Sequence, residues 1–151
     1  MNLAFDTSFL VAALIEGHVD HPRTLPWTEA VASGEIEARL SWHAAAETWS
    51  VLTRLPGTLR VQPSAASLVI DRLLETFEPA ALSAATYRAA LRRCAEKGLA
   101  SGAVFDALHL ASAEEQEVDG LVTFNGSDFE RLRTPRSPEI VVPPHPPAFR
   151  L

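Results

Sequence analysis

Apolar residues along the chain form two kinds of run, short blocks suited to strands and longer stretches with helical spacing, and the two alternate from end to end. Asn2–Phe5 predicts a first strand, and residues 7–16 behind it predict a helix stopped by Gly17. Pro22 and Pro26 punctuate a short helical stretch reaching about Ser33. Residues 35–41 alternate as a second strand, and 43–55, rich in alanine, make a helix that Pro56 and Gly57 terminate. Pro63 suits the first turn of a helix running to about Glu75, 79–82 reads as a short strand, and 84–97 as an amphipathic helix before Gly98. Residues 102–115 give a further helix. The apolar, β-rich run 120–124 is of the kind buried inside a sheet, followed by a short helix over 127–132 and a last strand at 139–142.

Strand-helix alternation without a long linker or internal repeat predicts a three-layer α/β/α sandwich around a parallel sheet of four to five strands. Residues 1–142 form that unit. The four prolines in residues 143–151 make this stretch an extended tail.

Composition narrows the functional classes. With 151 residues and 47% hydrophobic content, the chain has the material for one domain with a full core. Its longest apolar stretches fall far short of the roughly 20 residues of a membrane span. The N-terminus has no secretory pattern, since Asp6 interrupts its short apolar run, and the single Cys94 cannot form an intrachain disulfide. These features lead to the expectation of a cytoplasmic protein, with Cys94 simply packed. A formal charge of −6 speaks against a broad basic surface for gripping phosphates. It does not speak against a nuclease, because bound cations reverse the sign of an acidic site. Arg88, Arg92, Arg93 and Lys97 form a local basic cluster.

One anomaly recurs in three segments: a lone acid in an apolar stretch, at Asp6, Glu47 and Asp106. Several carboxylates sharing a buried site repel one another and raise each other's pKa unless a cation lies between them. In an open parallel sheet the functional crevice lies beyond the carboxyl ends of the strands. Asp6 ends the first strand, Glu47 and Asp106 lie early in helices facing that edge, and Asp128 reaches it a few residues after the strand 120–124. Such hard oxygen ligands suit Mg²⁺ or Mn²⁺, and the absence of Cys/His ligand spacing disfavours zinc. One or two such ions at the rim fit phosphodiester hydrolysis.

Each acid also has a structural reading, Asp6 as a helix cap and Asp128 as a helix cap or a solvated loop residue, while Glu47 and Asp106, whose neighbours at helical spacing are largely apolar, are harder to dismiss. Ser8 and Thr123 carry hydroxyls able to orient ligands. His109, three residues after Asp106 on one helix face, reads first as a packed histidine and second as a metal or phosphate contact. His18, His21, Glu114, Glu115 and Glu117 read as solvated, and Trp27, Trp42 and Trp49 as core or interface residues rather than base-stacking ones.

Four motifs in order resemble the PIN-domain ribonucleases, most closely the VapC-type toxins of bacterial type II toxin-antitoxin modules. They are Asp6-Thr7-Ser8, Ala46-Glu47 through Arg54-Leu55-Pro56, Phe105-Asp106-Ala107-Leu108-His109, and Leu121-Val122-Thr123-Phe124-Asn125-Gly126-Ser127-Asp128-Phe129. The resemblance implies a Mg²⁺- or Mn²⁺-dependent endoribonuclease that cuts RNA, a homodimer, and inhibition by a small antitoxin entering the active-site groove. Carried over, Asp6 and Asp106 bind the main ion with help from Glu47 and Asp128. Many relatives place an acid at the position of Asn125, so Asp128 is read as reaching the ion either directly or through water. Arg54 is read as a contact for substrate phosphate or an antitoxin carboxylate, with a surface ion pair as the alternative.

Two rival classes remain. One is a PIN-like module that binds RNA or a partner without turnover. The other is a phosphatase or phosphotransfer receiver with Asp6 as acceptor; it lacks a second acid two residues after Asp6, and Lys97 is the chain's only lysine.

Overall fold

A computed structural model describes residues 1–145, and residues 146–151, most of the expected tail, lie outside the described part. Five strands, β1 (Asn2–Phe5), β2 (Glu37–Ser41), β3 (Glu78–Ala80), β4 (Gly120–Val122) and β5 (Glu139–Val141), form one sheet in the order β3-β2-β1-β4-β5. All four pairings are parallel. The helices are α1 (Thr7–Leu14), α2 (His21–Ala32), α3 (Trp42–Arg54), α4 (Pro63–Thr76), α5 (Ala84–Glu96), α6 (Ala103–Glu115) and α7 (Gly126–Leu132), with a short 3₁₀ turn at Gly57–Leu59.

The three layers follow from the two-residue period of the strands. In β1, Leu3 and Phe5 face a core shared with α1 and α4, whereas Ala4 faces the opposite core built on α5, α6 and α7. Leu121 and Val122 of β4 divide in the same way. Helix α6 is buried continuously from Ala107 to Ala113, so its sequence is apolar nearly all round. Among the described residues, no helix is long and apolar enough to cross a membrane.

Differences from the sequence expectation have local causes. Strand β4 stops at Val122 rather than Phe124: the Thr123 N–H still donates to the Val141 carbonyl, but the next backbone donors leave the sheet, Phe124 N–H for Ser8 Oγ and Asn125 N–H for Thr123 Oγ1. The helical stretch expected around Pro22 and Pro26 is present as one twelve-residue helix capped by Ser33, with Pro26 in its second turn and exposed to solvent. Helix α1 ends at Leu14, two residues early, where Ile15 becomes extended. Pro143, the start of the expected tail, is held by Arg23 of α2, whose guanidinium donates to the Pro143 carbonyl and lies over the Phe124 ring.

Candidate active site

Parallel strand order brings the C-terminal ends of β1, β2 and β4 side by side, and the site is built on the turns that leave them. Asp6 follows β1 directly. It caps α1, accepting from the Phe9 N–H at 3.0 Å, and is 2% exposed. The expected capping role and the expected site position are therefore both occupied by the same side chain.

Two hydroxyls aim their protons at Asp6. Ser8 Oγ accepts from the Phe124 N–H at 2.9 Å and so donates to the Asp6 carboxylate, at 2.8 Å to Oδ1. Thr123 Oγ1 accepts from the Asn125 N–H and donates to Asp6 Oδ2 at 2.8 Å. Three donors thus fix both carboxylate oxygens. Even so, burial pushes the Asp6 carboxyl above its ordinary range, against the lowering influence of His109 and these hydrogen bonds.

Glu47 lies in the second turn of α3, a helix capped by the last residue of β2, Ser41. Its Oε2 accepts from Thr7 Oγ1 at 2.8 Å and from His109 Nε2 at 2.8 Å. Burial alone would raise its pKa, but the His109 hydrogen bond and charge, with Thr7, bring the net shift downward. His109 is thus both buried and in the site. The sequence favoured packing for it, and packing explains its 5% exposure but not its bond to Glu47.

Asp106, in the first turn of α6, has no hydrogen bond or ion pair among the described residues. Its carboxyl is pushed up to about 6, first by burial and then by the charges of Asp6, Asp128 and Glu47, with His109 opposing. That coupling places all four acids in one electrostatic neighbourhood. Asp128 lies in the first turn of α7, 43% exposed, and pairs with Arg131.

Two adjoining cavities enclose this group, sharing Glu47, Arg54 and Asp106. The larger, about 780 Å³, adds His43, Asp128 and Arg131; the smaller, about 480 Å³, adds Asp6, Ser8, His109 and Asn125. Arg54 makes no ion pair among the described residues. Asn125 supplies a backbone N–H to Thr123, while its side chain makes no hydrogen bond among the described residues.

Thr7 and His43 escaped the sequence reading. His43 stands four residues before Glu47, a spacing that puts both on one face of α3, and this was the available signal. His18, read as solvated, lines the smaller cavity. Glu114, also read as solvated, instead accepts from Arg93 at 2.7 Å and from Ser137 at 2.6 Å, tying the 134–137 loop to α6.

The donor set fits a hard divalent cation. The Asp106 carboxylate, without a hydrogen bond among the described residues, feels the charges of three other acids, and a cation among them would relieve repulsion that His109 only partly offsets.

A parallel α/β/α sandwich with acids gathered at the carboxyl edge of the sheet is an arrangement chemically suited to a divalent cation. A family model described as PIN domain matches residues 3–134. Ribonuclease VapC27 of Mycobacterium tuberculosis is 38% identical over 118 residues, covering 78% of this chain and 80% of that protein. Ribonuclease VapC40 of the same species is 37% identical over 106 residues, 70% and 74% of the two chains. Among solved structures, VapC20 of M. tuberculosis, described as a sarcin-ricin loop cleaving toxin, aligns with TM-score 0.66 at 22% identity, covering 83% and 92%. VapBC2 of Rickettsia felis, solved on a promoter DNA fragment, aligns with TM-score 0.66 at 19% identity, covering 94% and 98%. These two structural likenesses concern the fold. The chain belongs to the PIN-domain family.

Proposed function

We propose that the protein is a metal-dependent endoribonuclease, the toxin of a toxin-antitoxin pair, with residues 1–142 as its nuclease unit. The observation that carries this reading is the convergence of Asp6, Glu47, Asp106 and Asp128 on two cavities that share Asp106, a carboxylate without a protein partner. The ribonuclease names of relatives at 37–38% identity support the same activity. Mg²⁺ or Mn²⁺ would be held by Asp6 and Asp106, assisted by Glu47 and Asp128. Such an ion, when bound, supplies Lewis-acid stabilisation of a phosphodiester and a water of lowered pKa.

The chain's own residues do the rest. Ser8 and Thr123 hold Asp6 in one orientation with both oxygens fixed. Thr7 and His109 both hold Oε2 of Glu47, while its Oε1 has no hydrogen bond among the described residues. Arg54, exposed between the two cavities, and Arg131 at the rim of the larger are placed to bind phosphates of an RNA strand. The same open cavities suit entry of a small antitoxin, in keeping with neighbours solved as VapBC and FitAB proteins. A homodimer in the cytoplasm completes the proposal. Trp42 and Trp49, exposed along a groove between α3 and α4, are available for the dimer contact.

Purified protein incubated with structured RNA and Mg²⁺ or Mn²⁺ tests the reading. Internal cleavage is expected, abolished by a chelator and by Asp6→Asn in a variant that still melts cooperatively. Cleavage at the wild-type rate by that variant would refute the assignment. Metal binding without any RNA cleavage would favour the module that binds without turnover.

A further inference from the structure

A second set of ligands overlaps the oxygen site but differs from it in chemistry. We propose that His43, Glu47 and His109 form a site for a borderline transition-metal ion of the Zn²⁺ class. One ligand atom from each of the three residues lies within 4.8 Å of the others. His43 Nε2 is buried with no hydrogen-bond partner among the described residues, the state expected of a donor whose natural partner is an ion. Leaving such a nitrogen merely packed forfeits a hydrogen bond, and nothing around it compensates.

The framework holds these atoms in place. His43 and Glu47 are one turn apart on α3, and His109 comes from α6 on the other side of the cluster. The His43 ring stacks on Phe105 with centroids 5.2 Å apart and meets His109 edge-on at 5.4 Å. Tetrahedral bonds of about 2.0–2.2 Å to such an ion place neighbouring ligand atoms roughly 3.3–3.6 Å apart. Glu47 Oε2 and His109 Nε2 are hydrogen-bonded at 2.8 Å, so this pair needs to open by only about half an ångström or a little more to admit an ion, with His43 as the third ligand.

Outer contacts suit the role. Thr7 Oγ1 donates to the ligating Glu47, and His109 Nδ1 faces Ser41 Oγ at 3.5 Å. Binding would require one tautomer of His109. To ligate, Nε2 of a neutral His109 would offer its lone pair, with the single ring proton carried on Nδ1 toward Ser41 instead of on Nε2 toward Glu47. No electron changes hands. Two imidazoles and one carboxylate select softer ions over Mg²⁺, the reverse of the preference of Asp6 and Asp106. Because Glu47 belongs to both sets, occupancy here withdraws it from the oxygen site and inhibits cleavage. That consequence, unlike the site itself, rests on the nuclease reading above.

Titration with Co²⁺ as a spectroscopic stand-in and Zn²⁺ by calorimetry, without RNA, tests the site. Near neutral pH, wild-type protein and Asp106→Asn are expected to give nitrogen-ligated Co²⁺ spectra that survive a large excess of Mg²⁺. His43→Ala is expected to weaken Zn²⁺ binding by about 100-fold or more. Should that variant fail to fold, ¹⁵N spectra of the wild type serve instead, with the His43 and His109 ring nitrogens shifting on equimolar Zn²⁺. Unchanged affinity in a folded His43→Ala, unmoved ring nitrogens, or displacement of Co²⁺ by Mg²⁺ would each overturn the site. Tight Zn²⁺ binding that leaves Mg²⁺-dependent cleavage unaffected would keep the site and overturn only the inhibition.

Discussion

Replacing Asp106 by Asn keeps the shape of the side chain and removes a charge that the folded chain holds at a cost. The carboxyl moves from 3.8 unfolded to about 6 folded, roughly two units. At 1.36 kcal/mol per unit this sets a ceiling of about 3 kcal/mol on the penalty at neutral pH. The side chain is only partly buried, so screening by solvent reduces the figure to about 1–2 kcal/mol. The sign follows from linkage: a carboxyl with a raised pKa destabilises the fold when ionised, and the penalty disappears as pH falls through 6 toward 3.8. Metal-free Asp106→Asn should therefore be more stable than wild type at pH 7, by roughly 3–6 °C in melting temperature for a chain of this size. The difference should shrink between pH 6 and pH 4.

With a divalent cation the order inverts. Wild type gains stability from binding while the variant gains little. Thermal melts in chelator and in excess Mg²⁺ or Mn²⁺, at pH values across that window, measure both effects. A metal-free variant no more stable than wild type at pH 7, or one that Mg²⁺ stabilises as strongly, would refute the claim that Asp106 carries an uncompensated charge awaiting a cation.

Asp6→Asn should gain less stability than Asp106→Asn in the same melts, since its new NH₂ must face one of the donors, Ser8, Thr123 or Phe9 N–H, that now converge on the carboxylate. Glu114→Gln should cost about 1–3 kcal/mol in urea unfolding by leaving Arg93 and the 134–137 loop with a poorer partner. Because the Glu114 pKa is lowered from 4.5, that contribution is present above pH 4.5 and lost as pH falls further, so the variant and wild type should converge in acid. Gly126→Ala would place a Cβ 2.6 Å from Val142 Cγ2, costing about 1–3 kcal/mol and shifting the first turn of α7. Its cleavage rate should fall through displacement of Asp128, read by comparison with Asp128→Asn.

The elements were legible because their signals are local. Apolar blocks of four or five residues, Pro63 at a helix start and Gly98 at a helix end act over a few positions. Gly98 takes φ +65 while its N–H and that of Leu99 close onto the Ala95 and Cys94 carbonyls. The acids were visible because an ionisable group in an apolar run is anomalous wherever it occurs. Glu114 was misjudged for the opposite reason. It sits in a run of acids that looks solvated, and its partners arrive from α5, 21 residues earlier, and from a loop 20 and 23 residues later. His43 was invisible alone, because its meaning depends on His109, which only the packing of α3 beside α6 supplies.

The four acids also differ in what offsets their charge, and this difference assigns them unequal parts. Asp6 has three donors, Glu47 two, and Asp128 an arginine, whereas Asp106 has none among the described residues. Carboxylates already holding protein donors are oriented before any ion arrives, which reduces the ordering that binding must impose. A carboxylate with no donor keeps its full attraction for a cation. The arrangement therefore supports a site in which Asp6 fixes position and Asp106 supplies most of the electrostatic demand. It also explains how a fold with a net charge of −6 keeps four acids together: Glu47 and Asp128 hold donors that offset their charge, while Asp6 and Asp106 keep raised carboxyls, a cost that a bound cation would relieve.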